Sequence, residues 1–189
     1  PKEAERLVIT SRGGAVDDAV FAAYLVARRQ LDVEVVGQCM SSCANYILPA
    51  AEHIFLDRHS IVAVHGSPGR PDREAMIAAF AKAGWTSERP AFEEELERNL
   101  LMDEEFFELH SNFSNEFNVG RLYYDIAKVH AYGLEKAGGK SFTIVVDPDW
   151  LAACIPNVEL TAEQPDLDGL SKLFANRYLV TFSSALGQA

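Results

Sequence analysis

The sequence predicts an α/β fold with largely parallel strand pairing, and three observations carry that expectation. The first third alternates β-branched runs with segments of helical period, reading strand, helix, strand, helix, strand, strand. The first two strand-like runs each end in a turn of small residues, Ser11-Arg-Gly-Gly14 and Gly37-Gln-Cys-Met-Ser41. Gly14, Ser41 and His65 all fall at or just beyond the carboxyl end of a predicted strand, where sites gather in open α/β sheets.

Taken in order, Arg6 to Thr10 reads as a buried strand, and the glycine pair after it permits a turn that other residues resist. From Ala15 to about Arg29 the apolar residues Val16, Val20 and Tyr24, with Phe21 and Leu25 alongside, recur at helical spacing. Asp17 and Asp18 in the first turn and Arg28 and Arg29 in the last suit the helix dipole. Val33 to Val36 is the next strand. A helix to about Ala51 follows the serine turn, and Pro49 kinks or ends it. Short strands are expected at Ile54–Leu56 and Ile61–His65.

Residues 71–137 turn mostly helical: Arg73 to Ala83, a long helix striped by Phe92, Leu96 and Leu100, and Leu122 to Lys136. Beyond Gly138-Gly139 come a strand at Ser141–Val146, a helical turn at Asp149–Cys154, a short helix at Leu167–Phe174 and a last strand at Arg177–Phe182. No internal repeat is apparent.

Composition is that of an ordinary globular chain of 189 residues, 48% hydrophobic and 24% charged. Its net charge of −11 argues against nucleic acid as a partner. Eight acids against Arg98 alone lie between Ala91 and Glu108, so 7 of the 11 excess negative charges sit in one segment. A solvated helix face is the simplest reading of that segment. No apolar run approaches membrane-spanning length. The chain starts at Pro1 without a methionine, so we expect a trimmed piece, with any targeting segment or membrane anchor outside it.

Cys39 and Cys43 flank the serines four residues apart, a spacing that suits either a bridge or buried free thiols, and Cys154 is distant. The regular spacing of His53, His59 and His65 hints at a metal, but the intervening turns argue against a shared ligand face. No metal and no cofactor is expected.

A serine at a helix start is either an N-cap or a nucleophile. As a nucleophile it needs a base and an oxyanion site. Ser41 has candidates for both. The Ser42 N–H lies at the helix start, the Gly14 N–H offers a second donor, and His65 is the natural base.

Ser11-Arg-Gly-Gly14, Gly37-Gln-Cys-Met-Ser41 and Ala63-Val-His65-Gly66 together resemble the Clp-protease and crotonase superfamily. They are most similar to the proteolytic subunit of the Clp protease and its periplasmic ClpP-like relatives. The match covers roughly residues 6–66, with gaps of 27 from Gly14 to Ser41 and 24 from Ser41 to His65, similar to the family. The resemblance implies a ClpP/crotonase-like spiral of β-β-α units, one domain over residues 1–189 that lacks its N-terminal strands, and a helical handle or insertion over 70–140. It implies a serine peptidase with Ser41 as nucleophile, His65 as base, and Gly14 and Ser42 as oxyanion donors. Asp149 best matches the third triad member, with Asp147 second. The 84 residues from His65 to Asp149 imply an insertion, for which the acidic helix at 91–108 is the candidate. Arg12 stands where the family has proline. Cysteines around the serine resemble the extracytoplasmic relatives, so a periplasmic or secreted location is expected. A peptide or protein is the implied substrate, and a homo-oligomer is in keeping with the family.

Three alternatives stand beside this reading. A Ser/Lys dyad would draw on Lys128, Lys136 or Lys140. A crotonase-type enzyme would bind an acyl-CoA thioester, although no clear pair of glutamates sits in the matching turns. A catalytically inactive scaffold would use the acidic segment as its contact surface.

Overall fold

The computed structural model describes residues 4–64, 70–120, 123, 142–166, 168–170 and 178–182. The expected helix at Leu122–Lys136 lies outside this set apart from Tyr123, as do His65 and the three candidate lysines. Of the expected helix at Leu167–Phe174, only 168–170 is described, and those residues are helical.

The protein is α/β with a mixed seven-stranded sheet. The strands are β1 (Arg6–Ser11), β2 (Asp32–Met40), β3 (His53–Leu56), β4 (Ile61–Ala63), β5 (Phe142–Val146), β6 (Glu159–Ala162) and β7 (Tyr178–Phe182). The helices are α1 (Val16–Arg28), α2 (Arg73–Lys82), α3 (Phe92–Glu116) and α4 (Pro148–Cys154). Strand order runs β6-β3-β2-β4-β5-β7, with β1 on the other side of β2. Among the described residues five of the six pairings are parallel, and only β4 against β5 is antiparallel.

β2 is the axis of this arrangement. Val33 pairs with Leu7 on one side and Ile54 on the other, whereas Cys39 pairs with Ser11 and Val62. Two strands, β3 and then β4, therefore share one flank of β2. The handover falls at Gly37, whose φ of +80° favours glycine. There the ladder would leave backbone groups without partners, and Ser60 fills the gap. Its hydroxyl donates to the Val35 carbonyl at 2.6 Å and accepts from the Gly37 N–H at 3.3 Å.

β2 runs on past the expected Val36 because Ser60 and β4 supply the partners that carry it through the glycine. β6 was not expected at all. It is four residues long on the end of the sheet, too short for its alternation to stand out.

α1 keeps the expected span and charges, and its chain turns away at Gln30, whose φ is +50°. The Leu31 N–H reaches back to the Val26 carbonyl at 3.1 Å, closing the helix end. The buried face differs from the expected stripe: it is Ala19, Val20, Ala23 and Val26, while Phe21 is 67% exposed. Two alanines permit the close approach of α1 to the segment after Ser41, which larger side chains would prevent.

In that segment the expected helix, kinked or ended by Pro49, is replaced by two short turns of other kinds. Cys43–Ile47 is a π-helical turn and Leu48–Ala50 a 3₁₀ turn. Pro49 explains the change, since it cannot donate the next rung of a helical ladder. Residues 42–50 are buried throughout.

The chain divides into two compact units: Pro1–Gly66 with Ser114–Ala189, and Ser67–Phe113. Within the second, Asp72 caps α2 by accepting from Glu74 and Ala75 N–H groups at 2.9 and 3.1 Å. Arg73 bridges to Glu93 and Glu97 of α3, and Phe80 meets Phe92 edge to face at 5.8 Å. No residue of α2 is buried. Two of the clustered acids thus hold this hairpin together.

Candidate active site

Three consecutive neighbours in the sheet, β1, β2 and β4, run parallel and end together. Gly13 and Gly14 follow β1, Ser41 follows β2, and the chain reaches His65 two residues beyond Ala63 of β4. Parallel pairing alone brings these segments to one edge. His65 itself lies outside the described residues.

Ser41 has a φ of +55°, in the left-handed region that non-glycine residues avoid. For an L-residue this conformation costs about 1–2 kcal/mol, so it persists only where the surroundings impose it. Here they do. The Ser41 N–H donates to the Ala63 carbonyl at 3.0 Å, and its own carbonyl accepts from the Asn45 N–H at 2.8 Å. Cys39 and Cys43 form a disulfide with their Cα atoms 5.4 Å apart, which closes a small ring with Ser41 at its middle. Of the two possibilities the cysteine spacing allowed, the bridge is the one observed, and both cysteines are buried. Strand end, disulfide and first helical turn together hold a sharp elbow that turns on a serine.

Gly13 fits against this elbow with no room to spare. A Cβ built there would lie 2.7 Å from Ser41 Cβ and 2.8 Å from the Met40 carbonyl oxygen, and its φ is +89°. Gly14 is tied to the same elbow by a different bond: its N–H donates to Ser42 Oγ at 2.8 Å. The Ser42 hydroxyl lies 3.2 Å from the Gly14 carbonyl oxygen, so it can donate back. Ser42 is 4% exposed, whereas Ser41 is half-buried. Of the adjacent serines, one therefore stitches two loops together, and the other occupies the strained apex.

Asp149 lies in the first turn of α4 and is exposed. Asp147 caps that helix, its Oδ1 accepting from the Asp149 N–H at 2.9 Å. The next residue, Trp150, is buried and stacks on Tyr123 with ring centroids 5.6 Å apart. The Tyr123 hydroxyl in turn donates to the Ala44 carbonyl at 2.9 Å. So α4 is joined through two aromatic rings to the turn that follows Ser41.

His53 stacks on Phe55 and lies 2.9 Å from Thr161 Oγ1. Among the described residues no group of three His, Cys, Asp or Glu side chains is placed to hold a metal ion. Cys154 is buried, and burial pushes its thiol up to about 12, so it stays protonated and unreactive. Tyr46, buried behind the elbow, is likewise pushed up to about 12 by burial and then by the charge of Asp17.

Sequence reasoning did not single out Gly13, Ser60 or Tyr123. Gly13 was legible only as half of a glycine pair. For Tyr123 the one signal was Pro49, which announces an orphaned carbonyl but not the group that would satisfy it.

The chain matches no protein-family model and no curated protein.

Proposed function

We propose that the protein is a serine peptidase of the ClpP-like type, built on a ClpP/crotonase-like spiral of β-β-α units. The observation that carries this reading is Ser41 at a positive φ on the end of β2, clamped by a disulfide, with Gly13 pressed against it. Strain of this kind at a half-buried serine suits a nucleophile elbow better than a helix cap, which adopts an unstrained extended backbone.

In the proposed reaction Ser41 Oγ attacks the carbonyl carbon of a peptide and passes its proton to His65. The tetrahedral oxyanion accepts hydrogen bonds from the Gly14 and Ser42 N–H groups. His65 returns the proton to the departing amine as the C–N bond breaks, leaving an acyl ester on Ser41. Water, deprotonated by His65, then hydrolyses the ester. Asp149 is the proposed orienting acid for His65. The Gly14 N–H is held by Ser42 Oγ in the resting site, so an oxyanion has to share or displace that hydroxyl. The disulfide suits an extracytoplasmic compartment, where such bonds persist.

A fluorophosphonate probe tests this directly. We expect phosphonylation at Ser41 that Ser41→Ala abolishes and Ser42→Ala does not. Absence of labelling on folded, oxidised protein would favour the scaffold, and saturable binding of an acyl-CoA thioester would favour the crotonase-type enzyme.

A further inference from the structure

We propose that Tyr123 is a positioning residue for Ser41, holding the turn behind it in π-helical register by supplying the hydrogen bond that Pro49 cannot. The inference rests on the serine-nucleophile reading for its catalytic consequence, though not for its structural one.

In a π-helical turn each carbonyl accepts from the N–H five residues on. The Leu48 N–H accordingly donates to the Cys43 carbonyl. The next rung would run from residue 49 to the Ala44 carbonyl, and residue 49 is proline. Ala44 is fully buried, so water cannot serve instead. The Tyr123 hydroxyl, 2.9 Å from the Ala44 oxygen and itself fully buried, is the replacement. Its place is fixed by packing, because the ring lies stacked on the buried Trp150.

Removing that hydroxyl leaves the Ala44 carbonyl one nearby backbone donor, the Leu48 N–H. Taking it means shifting Leu48 from the Cys43 carbonyl to the Ala44 carbonyl, a change from π to α register. The turn between Cys43 and Leu48 would tighten by one residue. Cys43 is bonded to Cys39, and the Asn45 N–H holds the Ser41 carbonyl. Two of the three anchors of the strained serine thus belong to the turn that tightens, and only the bond to the Ala63 carbonyl lies outside it. Ser41 and the Ser42 N–H would lose their aim while the rest of the fold stays in place.

The test uses the oxidised protein and the variants Tyr123→Phe, which keeps the ring on Trp150, and Tyr123→Phe with Pro49→Ala, which returns an N–H to residue 49. Two readouts are taken: the fluorophosphonate labelling rate at Ser41, resolved into reagent affinity and maximal rate, and hydrogen exchange of the Asn45 amide. Loss of one buried hydrogen bond corresponds to roughly a tenfold effect. We therefore expect Tyr123→Phe to cut the maximal labelling rate about tenfold with reagent affinity unchanged, to speed Asn45 exchange by a similar factor, and the double variant to recover both.

Should Tyr123→Phe fail to fold, the double variant must fold and label, and its failure to do so would overturn the proposal. Folded Tyr123→Phe with both readouts unchanged would overturn it too, as would losses that Pro49→Ala leaves uncorrected. If the wild-type protein does not label, the peptidase reading fails, and the exchange measurement alone decides the role of Tyr123 in holding the turn.

Discussion

Ser41 owes its candidacy to a backbone angle. A side chain in the left-handed region is destabilising, and only glycine escapes the penalty. Two variants that both lack the hydroxyl isolate this term: Ser41→Gly should be more stable than Ser41→Ala by about 1 kcal/mol in denaturant unfolding. Equal stabilities would mean that the angle carries no strain. Gly13 makes the opposite case. Gly13→Ala would drive a methyl against Ser41 Cβ and the Met40 carbonyl from a backbone already at φ +89°. We expect it to cost about 2–3 kcal/mol and to abolish labelling of Ser41. At this scale the sequence was informative about residue types and silent about angles. It offered Ser41 and Ser42 as neighbours, and the spacing of a family motif chose between them. The structure adds a physical distinction, since the Ser42 hydroxyl is buried and engaged with Gly14.

Among the elements, the elbow is the one least like its expectation. A helix to about Ala51, kinked or ended by Pro49, was the natural reading, and the segment resolves instead into π and 3₁₀ pieces. The disulfide gives the short elbow a stiffness that its hydrogen bonds alone would not. Closing so small a ring contributes about 2 kcal/mol on the chain-entropy model. Replacing both Cys39 and Cys43 by alanine should therefore lower stability by about that amount and slow Ser41 labelling, with a folded core retained. Unchanged labelling would show that the bridge does not position the serine. The α1 helix illustrates a different limit. Its period and charges were legible, yet the buried face was not, because the alanines that pack closely carry a weaker apolar signal than Phe21 or Leu25, which point outward.

For the molecule as a whole, the alternation of strands and helices over the first 66 residues was enough to place Gly14, Ser41 and the approach to His65 at the carboxyl ends of largely parallel strands. That part of the fold follows from local pattern, because a βαβ unit has few ways to close. Of the later strands, β5 and β7 were expected and β6 was not. Their partners were not legible, because the pairing of β6 with β3 and of β7 with β5 is long-range and no local signal encodes it.

At the same scale we expect stability to fall with acid, and the source of that expectation lies in α3. His110 is buried there, and burial lowers its pKa to about 4, below the ordinary histidine value of 6.5. Between those values the unfolded chain binds a proton that the folded chain refuses, so stability rises with pH across this window and is lost as pH falls through it. Thermal unfolding of the wild type should thus weaken more steeply from pH 6.5 to 4 than that of His110→Gln. Parallel pH profiles would contradict the assignment.

The central claim, that Ser41 is an armed nucleophile facing two backbone donors, is tested most directly by a crystal structure of the protein after reaction with a fluorophosphonate. We expect a phosphorus–oxygen bond to Ser41 Oγ and a phosphonyl oxygen about 2.7–3.1 Å from both the Gly14 and Ser42 N–H groups, with His65 within hydrogen-bond reach of Ser41 Oγ. An adduct on any other residue, or a phosphonyl oxygen turned toward solvent with Gly14 still bonded to Ser42 Oγ, would contradict it.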